Sequence, residues 1–103
     1  MNFNEKCYVL LSKIPKGRIS TYKEIAKALN TKAYRAVGNA MRKNPNPIFT
    51  PCHRIIRSNG EIGGYALGIN KKIDLLQKEG ILIKKDKVLN YKKIIHSFNE
   101  AVL

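Results

Sequence analysis

Thr21-Tyr22-Lys23-Glu24-Ile25-Ala26-Lys27-Ala28-Leu29, then Asn30-Thr31-Lys32, then Ala33-Tyr34-Arg35-Ala36-Val37-Gly38-Asn39-Ala40-Met41-Arg42-Lys43, reads as two short helices with a break between them. Thr21 and Glu24 match a capping box, in which hydroxyl and carboxylate satisfy free backbone donors at a helix start. The first helix, Tyr22 to Leu29, turns Ile25, Ala26 and Leu29 inward, and Asn30-Thr31 ends it. In the second, Ala33, Ala36, Val37, Ala40 and Met41 fall at i, i+3, i+4, i+7 and i+8, a stripe for burial. Arg35, Gly38, Asn39 and Arg42 occupy the opposite face, small in the middle and cationic at both ends. Two helices joined by so brief a turn form a helix-turn-helix. Such a face approaches a nucleic-acid groove closely while its arginines reach past it. The plainer reading is a solvated helix with two ordinary arginines.

Working outward, Cys7, Tyr8, Leu10, Leu11 and Ile14 place an amphipathic helix over Glu5 to Lys13, ended by Pro15 and Gly17. Cys7 lies in its apolar pattern and reads as a core thiol. On the other side comes Asn44-Pro45-Asn46-Pro47-Ile48-Phe49-Thr50-Pro51-Cys52-His53-Arg54. Pro45, Pro47 and Pro51 fix φ and bias each preceding residue toward extended geometry, so the segment reads as a stiff strap. Ile48 and Phe49 are too apolar for a solvated linker. Cys52 at the end of the strap is a candidate nucleophile positioned by the backbone before any partner arrives.

Beyond it, Ile55-Ile56-Arg57 and Glu61-Ile62 flank Ser58-Asn59-Gly60, and an Asn-Gly pair between short apolar runs predicts a tight β-hairpin. The glycine-rich loop from Gly63 to Gly68 lacks the Gly-Lys-Ser/Thr ending of a P-loop. Asn70 is positioned to cap a helix running to Glu79, with Ile73, Leu75, Leu76 and Ile69 inward and Gly80 at the C-terminal stop. The macrodipole disfavours a carboxylate at that end, so Glu79 invites a partner. Residues 81–103 alternate apolar residues with lysines, as in an edge strand or short helix. His96, with Glu100 at i+4, reads as a surface or partly buried histidine. The pattern is mainly α with a short β-hairpin.

A chain of 103 residues with 44% hydrophobic content supports one modest core, so residues 1–103 read as a single domain. The formal charge of +13, from 20 Lys and Arg against 7 Asp and Glu, exceeds what solubility asks for. Such an excess attracts a polyanion by phosphate neutralisation and counterion release, which puts nucleic acid first among partners. An anionic membrane fits less well: no long basic amphipathic helix carries an aromatic face, and no apolar run approaches spanning length. The N-terminal residues do not pair a basic region with an apolar run, so the chain reads as leaderless and cytoplasmic, nucleoid-associated in a prokaryote. Cys7, Cys52, His53 and His96 show no paired metal-ligand spacing, and neither a metal nor another cofactor is expected.

Pro51-Cys52-His53-Arg54, with Ile55 and Ile56 behind it, resembles the active-site motif of the O6-alkylguanine-DNA alkyltransferases, the methylated-DNA-protein-cysteine methyltransferases. The resemblance extends in order through Thr21-Tyr22, Arg35 to Arg42, Asn44-Pro45 and Glu79-Gly80, covering about Cys7 to Gly80. It implies a small winged-helix-like domain containing the helix-turn-helix. It corresponds to the family's C-terminal catalytic domain, with the usual N-terminal domain expected to be absent.

By resemblance, Cys52 is the alkyl acceptor, His53 its base acting through a water, and Glu79 the carboxylate that orients His53. Tyr22 is similar to the tyrosine that hydrogen-bonds guanine N3. Met41, Pro47 and Tyr65 would line the guanine pocket, and the carbonyls of Cys52 and Ile55 would read the exocyclic amine. Asn44 matches the asparagine tying the recognition helix to the strap. Arg35 matches the arginine that fills the gap left by an extruded nucleotide, and the helix carrying Tyr34, Ala36, Asn39 and Arg42 would enter the minor groove. Three positions depart from the family: Tyr34 where a small residue is frequent, Asn39 where glycine is, and Ala66 where a serine often follows the pocket tyrosine.

The resemblance implies a monomeric, single-turnover repair protein that flips O6-alkylguanine out of duplex DNA and takes its alkyl group irreversibly onto Cys52. The alternative is an alkyltransferase-like module that binds the lesion and recruits other repair factors without chemistry. Such proteins commonly replace the acceptor cysteine, often with tryptophan, whereas Cys52, His53 and Glu79 are all present here. A generic basic helix-turn-helix protein with a buried Cys52 leaves the strap, Tyr22 and Glu79 unexplained.

Overall fold

Asn2 and Glu5 open the fold with a reciprocal cap: Asn2 Oδ1 accepts from the Glu5 amide at 2.9 Å, and Glu5 Oε1 accepts from the Asn2 amide at 3.0 Å. The computed structural model describes residues 1–98. This cap starts helix α1 (Phe3–Leu11) ahead of the predicted Glu5, and Cys7, Leu10 and Leu11 are buried. Strand β1 (Ser20–Thr21) runs directly into helix α2 (Tyr22–Ala28). Thr21 caps α2 by accepting from the Glu24 amide at 3.0 Å. Only this half of the predicted box forms, because Thr21 also belongs to β1 and its backbone is paired there. Helix α3 (Tyr34–Arg42) follows and buries Val37, Ala40 and Met41. Ala33 is its exposed N-cap rather than the first member of the buried stripe.

The predicted hairpin over residues 55–62 does not form. Strand β2 (Ile55–Ile56) pairs in parallel with β1, in the register Ser20 to Ile55 and Thr21 to Ile56. The turn around Gly60 is present, with the Arg57 amide donating to Glu61 at 2.9 Å, but Glu61 then bridges to Lys87. The physical reason lies in the two isoleucines. A strand apolar at consecutive positions buries both faces, which suits a covered parallel pair better than a half-exposed hairpin. Ile55 joins a core with Cys7, Leu10, Leu11, Ile25 and Val37, while Ile56 joins a second with Ile19, Leu76, Ile81 and Val88.

The hairpin is instead made by β3 (Ile83–Lys84) and β4 (Lys87–Val88), antiparallel across Lys85-Asp86. Both turn residues have positive φ, +51° and +60°, as a two-residue primed turn requires. Helix α4 (Ile69–Lys78) starts from Gly68, not Asn70, which lies exposed in its first turn. Leu76 is buried as predicted, Lys72 is buried where no burial is predicted, and Ile69, predicted inward, faces outward. Gly80 ends the helix region with φ +87°. Helix α5 (Tyr91–Ile94) precedes Ile95, which bridges in parallel to Ile19, the residue just before β1. His96 is half-buried, and its amide donates to Ile19 at 2.6 Å. Residues 99–103 of the predicted tail, including Glu100, lie outside the described residues.

The result is a small, mainly helical, winged-helix-like domain with α2 and α3 as the helix-turn-helix and β3–β4 as the hairpin. Among the described residues no helix is long and apolar enough to cross a membrane.

Candidate active site

The segment between α3 and β2 is a tied loop rather than an extended strap. Asn44, buried just after α3, donates from Nδ2 to the Thr50 carbonyl at 2.7 Å and accepts from the Asn46 amide at 3.0 Å. The Thr50 amide donates back to Asn46 at 2.8 Å, closing the loop on itself. Rigidity therefore comes from Asn44 as well as from proline. Ile48 and Phe49, expected to resist solvent, project from the loop, with Phe49 90% exposed. The loop delivers Cys52-His53-Arg54 as one 3₁₀ turn.

Within that turn consecutive side chains diverge. Cys52 is only 4% exposed and forms part of the wall of a cavity of about 490 Å³, together with Tyr22, Met41, Gly64, Tyr65 and Ala66. Arg35, Gly38, Asn39 and Arg42, all on α3, complete the lining. The predicted outer face of the helix is thus a rim of the cavity. Arg42 and Asn39 are hydrogen-bonded to each other along it. The Cys52 thiol donates to the Pro47 carbonyl at 3.7 Å, and the Tyr65 hydroxyl donates to the same oxygen at 2.8 Å. Pro47 therefore acts through its carbonyl from behind the wall.

His53 points away from the cavity mouth into the protein, where Nε2 meets Glu79 Oε2 at 2.9 Å. Arg54 holds the same carboxylate in a fork, Nε to Oε1 at 3.0 Å and a terminal nitrogen to Oε2 at 2.8 Å, and also donates to the Ile14 carbonyl at 2.7 Å. Glu79 is the C-cap of α4, so two cationic or donor partners offset its unfavourable place in the helix dipole. Burial pushes its carboxyl upward, and the Arg54 and His53 hydrogen bonds outweigh that and leave it below the usual carboxylate range. Glu79 is therefore ionised and accepts only, which places the His53 proton on Nε2 and leaves the lone pair on Nδ1. Nδ1 is buried with no hydrogen-bond partner among the described residues. Burial lowers the His53 pKa despite the Glu79 contact, so the ring is neutral at physiological pH.

Burial also raises the Cys52 thiol, opposed by the Asn44 contact and by the charge of Lys72. Lys72 is the residue that periodicity missed. It stands on the inner face of α4, wholly buried, and Nζ donates to the carbonyls of Ile55 at 2.6 Å, Ile62 at 2.6 Å and Gly64 at 2.9 Å. Three carbonyls match the three donors of an ammonium, while burial pushes its pKa down to about 7. Lys72 thereby fastens the Gly64 wall of the cavity to the strand that follows Cys52. Its only sequence signal is a lysine on the apolar side of a helix, i−4 from Leu76. Arg54 has no local signal of its role, because its partner Glu79 lies 25 residues away.

The remaining predicted residues divide. Tyr22, Arg35, Asn39, Met41, Arg42, Cys52, Tyr65 and Ala66 line one cavity. Asn44 and Pro47 support it from behind. Ile55 is fully buried with its carbonyl taken by Lys72, and the Cys52 carbonyl accepts from the Ile55 amide, so both carbonyls expected to face a base are engaged internally. Ala36 is half-buried on α3, and Tyr34 faces two neighbouring concavities instead. Cys7 is buried in the core with its pKa raised to about 11, as an inert thiol. Among the described residues no group of three His, Cys, Asp or Glu is placed to hold a metal.

A thiol bordering a cavity beneath a cationic helix rim, backed by a histidine–carboxylate–arginine network, is the arrangement that the resemblance to the DNA alkyltransferases implies. The family model described as 6-O-methylguanine DNA methyltransferase, DNA binding domain, matches residues 2–81, and the chain belongs to that family. The methylated-DNA--protein-cysteine methyltransferase of Thermococcus kodakarensis is 49% identical over 80 residues, 77% of this chain and 45% of that protein. That of Saccharolobus solfataricus is 52% identical over 71 residues, 69% and 46% of the two chains. The chain thus spans about half the length of these curated relatives. Mycobacterium tuberculosis OGT in complex with DNA superposes with a TM-score of 0.74 at 41% identity, covering 77% of this chain and 50% of that one. S. pombe Atl1, in complex with damaged DNA containing O6-carboxymethylguanine, superposes with a TM-score of 0.82 at 31% identity, covering 93% and 95%.

Proposed function

We propose that this protein binds duplex DNA through the minor groove, extrudes an O6-alkylguanine, and takes the alkyl group irreversibly onto Cys52. The observation that carries the reading is a single one: the Cys52 thiol borders the cavity rimmed by α3, while the adjacent His53 is oriented by Glu79. Residues 1–103 act as one unit, binding DNA and accepting the alkyl group, and correspond to the catalytic C-terminal part of the longer relatives. The protein works as a monomer in the cytoplasm, nucleoid-associated in a prokaryote.

In the proposed reaction the thiol proton passes through a water to His53 Nδ1, the nitrogen left basic by the Glu79 contact. The thiolate displaces guanine from the alkyl carbon in an SN2 step. The S–C bond forms as the C–O6 bond breaks, and the electron pair stays with guanine. Tyr22 donates toward guanine N3, so the base leaves as a neutral species. Arg35 fills the vacated place in the duplex, and Tyr34, Ala36, Asn39 and Arg42 face the groove. Met41, Tyr65 and Ala66 hold the base, with Asn44, Pro47 and Ile55 supporting from behind. The thioether formed is stable to hydrolysis, so one protein is consumed per lesion.

The match with S. pombe Atl1 across nearly the whole of both chains favours a second reading, a lesion-binding module without chemistry. One experiment separates the two. Incubation with duplex containing O6-methylguanine adds the mass of one methyl group to the Cys52 peptide, and Cys52→Ala removes the addition. Binding of the lesion with no added mass leaves only the second reading.

A further inference from the structure

Two concavities beyond Tyr22 play no part in that chemistry. One, of about 440 Å³, is walled by Tyr22, Lys23, Tyr34, Arg57, Ser58 and Asn59. The other, of about 350 Å³, is walled by Lys23, Lys27, Asn30, Thr31, Lys32 and Tyr34. Lys23 and Tyr34 belong to both, and Tyr22 is also a wall of the Cys52 cavity, so the three adjoin in succession, each sharing a wall with the next. The parallel register of β1 and β2 creates this continuity, because it carries Tyr22 and Arg57 forward from paired strands.

The two outer concavities have four cationic side chains in their walls and no carboxylate. Glu61 lies beside one end, accepting from Asn59 Nδ2 at 2.8 Å. None of Lys23, Lys27, Lys32 and Arg57 forms a salt bridge among the described residues. Lys23 and Lys27 stand at i and i+4 on α2, a like-charge spacing that disfavours an isolated helix. A polyanion laid along the helix turns that repulsion into attraction. Tyr34, 46% exposed between the two hollows, offers an aromatic face at the midpoint.

We infer that this groove is a track for the sugar–phosphate backbone on one side of the extruded nucleotide, with Lys23, Lys27, Lys32 and Arg57 neutralising successive phosphates and Tyr34 packed against the sugars. The inference rests on the reading of duplex DNA as partner and adds a direction to it. Contacts run from the reactive cavity across Tyr22 toward Lys32, so the footprint is lopsided about the lesion.

The test is the salt dependence of binding to undamaged duplex. Each lost phosphate contact lowers the slope of log K against log salt by about 0.9. Lys23→Gln/Lys27→Gln/Lys32→Gln is expected to lower the slope by about 2–3. An equally neutralised control, Lys6→Gln/Lys13→Gln/Lys92→Gln, should leave it nearly unchanged. All six lysines are exposed, so neither variant disturbs the core. Reaction with free O6-benzylguanine should be the same in both variants and wild type. On a second duplex with one central O6-methylguanine, trimming one flank of the lesion should abolish the difference between groove variant and wild type, while trimming the other flank should preserve it. An unchanged slope in the groove variant, equal losses in both variants, or equal sensitivity to either flank overturns the track. Duplex binding without alkyl transfer leaves the track standing and removes the proposed reaction; no duplex binding by wild type removes both.

Discussion

The 2.9 Å contact between His53 Nε2 and Glu79 Oε2 joins the residue after the thiol to the C-cap of a helix 26 positions further on. It sets the tautomer of His53 and, with Arg54, gives Glu79 a reason to stand at the negative end of α4. Glu79→Gln keeps the shape but removes the charge that pairs with Arg54. The variant is expected to lose about 3–5 kcal/mol of stability, the usual cost of breaking a largely buried pair, read from chemical denaturation. Its rate of alkyl transfer should fall about 100-fold, read from the mass of the Cys52 peptide against time. A transfer rate equal to wild type would remove Glu79 from the proposed mechanism.

The pH dependence follows from the directions of three shifts. The Cys52 thiol is raised and the His53 ring is lowered, so the rate should climb with pH through neutrality as thiolate increases, while His53 is already neutral there. Glu79 is lowered, so its pairing stabilises the fold above the ordinary carboxylate pKa and is lost as pH falls through the lower folded value. Stability should therefore decline on acidification below about pH 4.5, the ordinary carboxylate value, and Glu79→Gln should flatten that part of the curve. A rate that falls between pH 6 and 8 would contradict the thiolate step.

Lys72→Met preserves length and removes the ammonium donor from three carbonyls, two of them on fully buried residues. A stability loss of about 3 kcal/mol is expected, together with a shift of the rate profile to higher pH, because the charge that lowers the Cys52 thiol is gone. The profile is the informative readout, since a purely structural role would lower the rate without moving it.

Arg35→Ala removes a side chain from the cavity rim and none from the thiol network. Repair within duplex should fall at least 10-fold while reaction with free O6-benzylguanine stays near wild type. Equal losses on both substrates would count against extrusion as the role of Arg35.

Local pattern carried much of this. The stripe Val37, Ala40, Met41 located α3, Gly80 marked the end of the α4 region, and the misplaced charge of Glu79 announced a partner before any was visible. Pattern failed where two signals competed. Ser58-Asn59-Gly60 has hairpin chemistry and does turn, yet Ile55 and Ile56 need cover on both faces and pair with β1 instead. Lys85-Asp86 makes the real hairpin turn without a glycine. Ile48 and Phe49 are too apolar for a solvated linker by composition, yet Asn44 ties the loop and they project outward from it.

By itself, then, the sequence determined the helix-turn-helix and a cysteine held by its backbone, because each rests on neighbours within a few residues, and the cationic excess, which is composition alone. Only the tertiary structure decided which of the motif's residues share a cavity, that Arg54 and His53 meet on one carboxylate, and that a buried lysine binds the wall to the strand. Those contacts span 8 to 26 residues and depend on how β1 and α4 pack around β2, a long-range fact that no local spacing contains.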